Sequence, residues 1–137
     1  MPMIDVYAEA GTFSDPAALA KRLAATLMEV ELVPDISLFR KNTAAFVHEC
    51  TVFNVEGDTN YVRVQVLTNA GALDRPKQLD AVSRLTADVA DAAGDPTIAD
   101  RTWVQLTETY DGGWGLAGHA NTNDELIALA RAELTRG

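Results

Sequence analysis

The chain has 137 residues, 47% of them apolar and 23% charged, and carries a formal charge of −9. That length and balance suffice for one packed domain without disulfides or metal, and the acidic, scattered charge argues against nucleic acid or a membrane surface as partner. The lone Cys50 excludes an intrachain disulfide, and with only two histidines beside it a zinc site is not expected.

The opening MPMIDVYAEAG lacks the basic and apolar regions of a secretion signal, and no apolar run is long enough to span a bilayer. A cytoplasmic location is the expectation. Ile4, Val6 and Ala8 alternate with Asp5, Tyr7 and Glu9, the period of a half-buried strand, which Gly11 breaks. Asp15-Pro16 then supplies an N-cap and a first helical proline. Leu19, Leu23, Leu27 and Val30 recur at helical spacing before Pro34, and TAAFVHECTVF follows as a second extended run.

The pattern then returns. Val62, Val64 and Val66 alternate as in a strand, Gly71 breaks it, and RPKQLDAVSRLTADVADAAG reads as a helix with Leu79, Val82, Leu85 and Val89 on its apolar stripe. Gly94 and Pro96 end that helix, and RTWVQLTETY is the matching strand. GGWGLAGHA predicts a tight hairpin or a loop packed close to backbone. A closing helix is expected over about 123–135, with Thr122 and Glu125 spaced for a capping box.

A shift of sixty residues superimposes Ala10-Gly11 on Ala70-Gly71, Pro16 on Pro76, Leu19 on Leu79 and Asp35 on Asp95. Matching punctuation at so many points indicates duplication, with one repeat over about 2–57 and another over about 60–120 of a single domain. The crossovers are long enough for parallel pairing, so each repeat is a β-α-β unit. The expected fold is α/β, a four-stranded sheet with two helices on one face. Its bare face would carry Tyr7, Phe46, His48, Arg63, Gln65, Trp103 and Gln105, a set apolar enough to require cover by other subunits.

Pro2 follows the initiator methionine, and aminopeptidases commonly remove methionine before proline. A freed Pro2 would be a secondary amine, higher in pKa than an ordinary α-amine. Burial or a nearby cation would bring it toward neutrality and make it a general base. It could instead attack a carbonyl and form an iminium. The alternative reading is that Met-Pro serves processing alone.

A strand begun by Pro2, a duplicated β-α-β unit near sixty residues, the FVHE segment and the GGWGLAG hairpin together resemble the tautomerase superfamily over nearly the whole chain. The resemblance implies a homotrimer whose sheets line a central barrel, with amino-terminal proline as the acid/base and no cofactor. Pro2 would then move a proton between the oxygen and carbon ends of the enol of a small anionic 2-oxo acid. Trp114 falls where 4-oxalocrotonate tautomerase has an aromatic pocket wall. Arg40, in SLFRKN, falls near an arginine of 5-carboxymethyl-2-hydroxymuconate isomerase and would bind a substrate carboxylate; its alternative is a solvated loop arginine. Thr12 stands where 4-oxalocrotonate tautomerase has an arginine, which weakens the case for a dicarboxylate substrate. The arginine pair of the cis-chloroacrylate dehalogenases aligns near Leu67 and Ala70, which argues against dehalogenation.

Further candidates follow from position. Arg63 would reach a neighbouring subunit's site or line the barrel in a salt bridge. Tyr110 and His119 flank the hairpin and would edge the pocket, and Lys41 would help steer an anion. His48 reads as a hydrogen-bonded interface residue or a second acid/base, Cys50 as packing, and Glu49 and Glu108 as structural strand ends. Competing functions are a proline-dependent decarboxylase or hydratase and a non-catalytic interaction protein on the same fold. A dimeric ferredoxin-like barrel is the competing architecture.

Overall fold

A computed structural model describes residues 1–136. β1 (Met3–Ala8), α1 (Pro16–Glu31), a short α2 (Ser37–Lys41) and β2 (Ala44–Glu49) form the first half. β3 (Val62–Thr68), α3 (Arg75–Ala93), a 3-10 turn (Pro96–Arg101) and β4 (Thr102–Glu108) form the second. A hairpin of β5 (Trp114–Leu116) and β6 (His119–Asn121) then leads into α4 (Asn123–Arg136).

The strands lie in the order β2-β1-β3-β4, with β1 parallel to β2, β3 parallel to β4, and β1 antiparallel to β3. The two β-α-β units therefore meet at a central antiparallel seam, where Ile4 faces Val66 and Val6 faces Val64. Their equivalence extends to single bonds. The amide of Cys50 donates to the carbonyl of Ala8, and the amide of Thr109 to that of Thr68, each at 2.9 Å. Asp15 and Asp74 cap α1 and α3 through their side chains, with proline in each first turn.

The core lies between one sheet face and the two long helices. Ile4, Val6, Val64 and Val66 pack against Leu19, Leu23 and Leu27 of α1 and Leu85 and Val89 of α3. The stripe expected on α3 is shifted, because Ala81, Leu85, Asp88 and Val89 are its buried residues. Leu79 is 56% exposed and Val82 is also exposed. Both line a shallow groove with Val104 and Leu106, on the side of α3 that overhangs β4. Small Ala81 lets α3 approach α1, and Asp88 is tied there by the Thr26 hydroxyl at 2.6 Å and Arg22 Nε at 2.8 Å.

The other sheet face is open in the single chain. Tyr7 stacks on His48 at 4.6 Å, His48 Nε2 lies 2.7 Å from Asp5 Oδ1, and the Arg63 guanidinium sits 5.7 Å over the Tyr7 ring. Trp103 stacks on Tyr61, yet Trp103 and Phe46 remain exposed. Cys50 is exposed just beyond β2, which corrects its reading as a packing residue: its backbone continues the ladder while its side chain leaves the core.

α3 ends on Gly94, whose φ of 65° is left-handed. Gly94→Ala is expected to cost about 1 kcal/mol, since that conformation penalises a Cβ. A urea midpoint unchanged by the substitution would contradict this account of the cap.

Candidate active site

Pro2 immediately precedes β1. It has no N–H to give the ladder, a defect tolerated at the start of a strand, while its carbonyl accepts a bond from the Ala44 amide at 3.2 Å. The residue is fully buried. Met1 is buried too, in an apolar cluster with Trp114 and Leu126 against which Phe39, Leu67 and Leu116 pack.

The hairpin brings Trp114 there. Ala117 and Gly118 turn it with φ of 52° and 81°. Gly113 passes so close to the Tyr110 carbonyl that an added Cβ would stand 3.0 Å from the oxygen. Asn121 Nδ2 donates to the Trp114 carbonyl at 3.1 Å, and the Thr122–Glu125 capping box starts α4. Through this chain of turn and cap the indole becomes one wall of the amino terminus.

A polar side chain also reaches the amino terminus. Glu31, the last residue of α1, is buried with its Oε1 3.5 Å from the Met1 amine. Its Oε2 accepts the Thr68 hydroxyl at 2.6 Å, and its backbone carbonyl accepts Lys77 Nζ at 3.3 Å. A cavity of about 460 Å³ opens beside Met1, lined among others by Glu31, Phe39, Lys77, Leu126 and Arg131. Burial pushes the Met1 ammonium below its ordinary value, the Glu31 charge opposing that shift only in part. Among the described residues no group of three or more His, Cys, Asp or Glu side chains is placed to hold a metal ion.

The sequence candidates divide around this geometry. Pro2 and Trp114 come together at the amino terminus. Arg40 lies in a neighbouring groove with Lys21, Met28 and Thr43, where its Nη1 donates to the Asp35 carbonyl at 2.7 Å and to Asp35 Oδ1 at 2.8 Å. Arg101 and Asp95 make the corresponding pair in the second half. Arg63 stands on the open face opposite Tyr7, donating to Gln105 at 2.9 Å and Gln65 at 3.2 Å rather than to a carboxylate. Tyr110 is 91% exposed, and His119 pairs with Glu125 on the surface.

Glu31, Lys77 and Arg131 are charged groups at the site that motif spacing does not single out, and the first two have a signal in the sequence. Glu31 stands four residues after Leu27, on the buried stripe of α1, where a carboxylate is out of place. Lys77 lies in the first turn of α3, where the helix dipole disfavours a cation.

No protein-family model matches the chain, and no curated protein matches it significantly. Solved structures do match. A member of the cis-3-chloroacrylic acid dehalogenase family is similar at TM-score 0.72 and 17% identity, over 93% of this chain and 90% of that one. The macrophage migration inhibitory factor-like protein of Entamoeba histolytica gives 0.70 at 16% identity, over 86% and 96%. Q0 fused 4-OT, a symmetric trimer, gives 0.73 at 17% identity, over 90% and 98%. At such identities the likeness is one of architecture: a four-stranded sheet built from two β-α-β units is the fold that this chain shares with these structures.

Proposed function

We propose that the protein is a cofactor-independent keto–enol tautomerase of small 2-oxo acids, acting through the Pro2 amine once Met1 is removed. The observation that carries this reading is the burial of Pro2 at the head of β1, next to Met1, which lines a cavity with Phe39 and Leu126 and packs in one apolar cluster with Trp114. Loss of Met1 would both create the amine and enlarge the cavity. The neutral nitrogen would take the enol hydroxyl proton and return it to the carbon, breaking O–H and forming C–H. Desolvation by Trp114, Phe39 and Leu126 favours the neutral amine, as it does for the Met1 amine.

Lys77 and Arg131 are the cationic side chains at this cavity and would hold the substrate carboxylate, a role that Arg40, engaged by Asp35, does not share within one chain. A homotrimer is inferred, since Phe46 and Trp103 on the open face need cover and Q0 fused 4-OT is a trimer. Lys77→Met is expected to raise KM for a 2-oxo acid enol about tenfold, the loss of about 1.4 kcal/mol of binding, with kcat less affected. An unchanged KM would remove Lys77 from this role.

The testing experiment is ketonisation of 2-hydroxymuconate and phenylenolpyruvate by mass-verified, Met1-free protein, followed by ultraviolet absorbance. Turnover above buffer supports the reading; none with either enol overturns it. A second reading, a non-catalytic interaction protein that keeps Met1, is favoured by the buried Met1 amine paired with Glu31. The amino-terminal mass of protein from its own cells separates the two.

A further inference from the structure

Glu31 is a buried carboxylate that the proton transfer above does not use. Its side chain is 3% exposed, and among the described residues the amino-terminal ammonium is the one cation within salt-bridge distance of it. A buried carboxylate left without its countercharge is costly. Removal of Met1 takes that countercharge away and leaves a new amine on Pro2. By covalent geometry the two nitrogens are within about 3.7 Å of each other. The Thr68 hydroxyl holds Oε2 at 2.6 Å, which leaves Oε1 facing the amino terminus.

Resting on the Pro2 reading, we propose that Glu31, held by Thr68, is a positioning residue that pairs with the Pro2 ammonium and sets the pH at which Pro2 gives up its proton. Apolar Trp114 and Leu126 favour the neutral amine, and Glu31 favours the charged one. The pair thereby stabilises the ammonium formed each time Pro2 takes a substrate proton. The other charged groups at this cavity are Lys77 and Arg131. Both favour the neutral amine, and Lys77 is held by the Glu31 backbone carbonyl, so it stays in place when the carboxylate is replaced.

The test is titration of Pro2 by 15N NMR in Met1-free, [15N]proline-labelled protein, wild type against Glu31→Gln. Loss of a negative charge disfavours the ammonium, so the Pro2 midpoint is expected to fall by about one pH unit or more. The acid limb of kcat/KM should move the same way. A purely structural Glu31 would change stability and leave the midpoint in place, which would overturn the proposal. Should Glu31→Gln not fold, the wild-type protein decides: the Glu31 13Cδ resonance should show a step at the Pro2 midpoint, and its absence contradicts the pairing. A midpoint shift without enol turnover would sustain the pair and sink the tautomerase reading. Turnover lost in Pro2→Ala, with a midpoint indifferent to Glu31, would do the reverse.

Discussion

Pro2→Ala is expected to lower kcat/KM for enol ketonisation by about 10²- to 10⁴-fold, the contribution typical of a positioned acid/base group. The substitution is conservative for the fold. The carbonyl of residue 2 still accepts the Ala44 amide, and the buried strand Ile4-Asp5-Val6 is untouched. Alanine at position 2 also permits removal of methionine, so both proteins present an amine at the same place. What changes is its basicity and rigidity, because a free primary amine titrates lower and rotates where the pyrrolidine ring does not. Steady-state rates on protein of verified mass read this directly. A variant within tenfold of wild type would contradict a requirement for the basicity and rigidity of the proline amine.

Leu27→Ala carries the largest expected effect on stability, about 3 kcal/mol of the 5–15 kcal/mol that holds a domain of this size together. Leu27 is fully buried between α1 and the sheet, in the same cluster as Ile4, Val64 and Leu85. Its truncation removes apolar contact and leaves a void that two helices clamped by the Thr26–Asp88 bond cannot collapse to fill. It also loosens the turn of helix that carries Glu31. Urea unfolding at fixed protein concentration measures the loss, the concentration being held because subunit association contributes to apparent stability. A loss under about 1 kcal/mol would contradict the packing described.

Much of the fold is legible because its determinants are local. Leu19, Leu23, Leu27 and Val30 stand on one helical face and are all buried, and Ile4, Val6 and Ala8 alternate inward as a two-residue period requires. The duplication is written in turn residues, and Gly11 and Gly71 both adopt the left-handed backbone that ends the first strand of each half. Leu79 and Val82 mislead for a physical reason: on a helix covering the edge of a sheet, apolar residues also flank the stripe. Alanine at 81 marks the close approach better than either does.

The site is less legible. Pro2 and Trp114 are marked by position and by a glycine-framed hairpin. Glu31, Thr68 and Lys77 are drawn from α1, β3 and α3 and meet only through the crossovers, 37 and 46 residues apart along the chain. Arg40 shows the converse. Its bonding partner Asp35 is five residues away, a short-range pair matched by Asp95 and Arg101.

The most direct measurement compares two forms that share every side chain after residue 1: protein freed of Met1, and protein that retains it because methionine aminopeptidase was inhibited during expression. Each is verified by intact mass and assayed for ketonisation of phenylenolpyruvate. If Pro2 is the acid/base, only the Met1-free form turns over. Equal rates in the two forms, or no turnover by the Met1-free form, would contradict an amino-terminal proline mechanism.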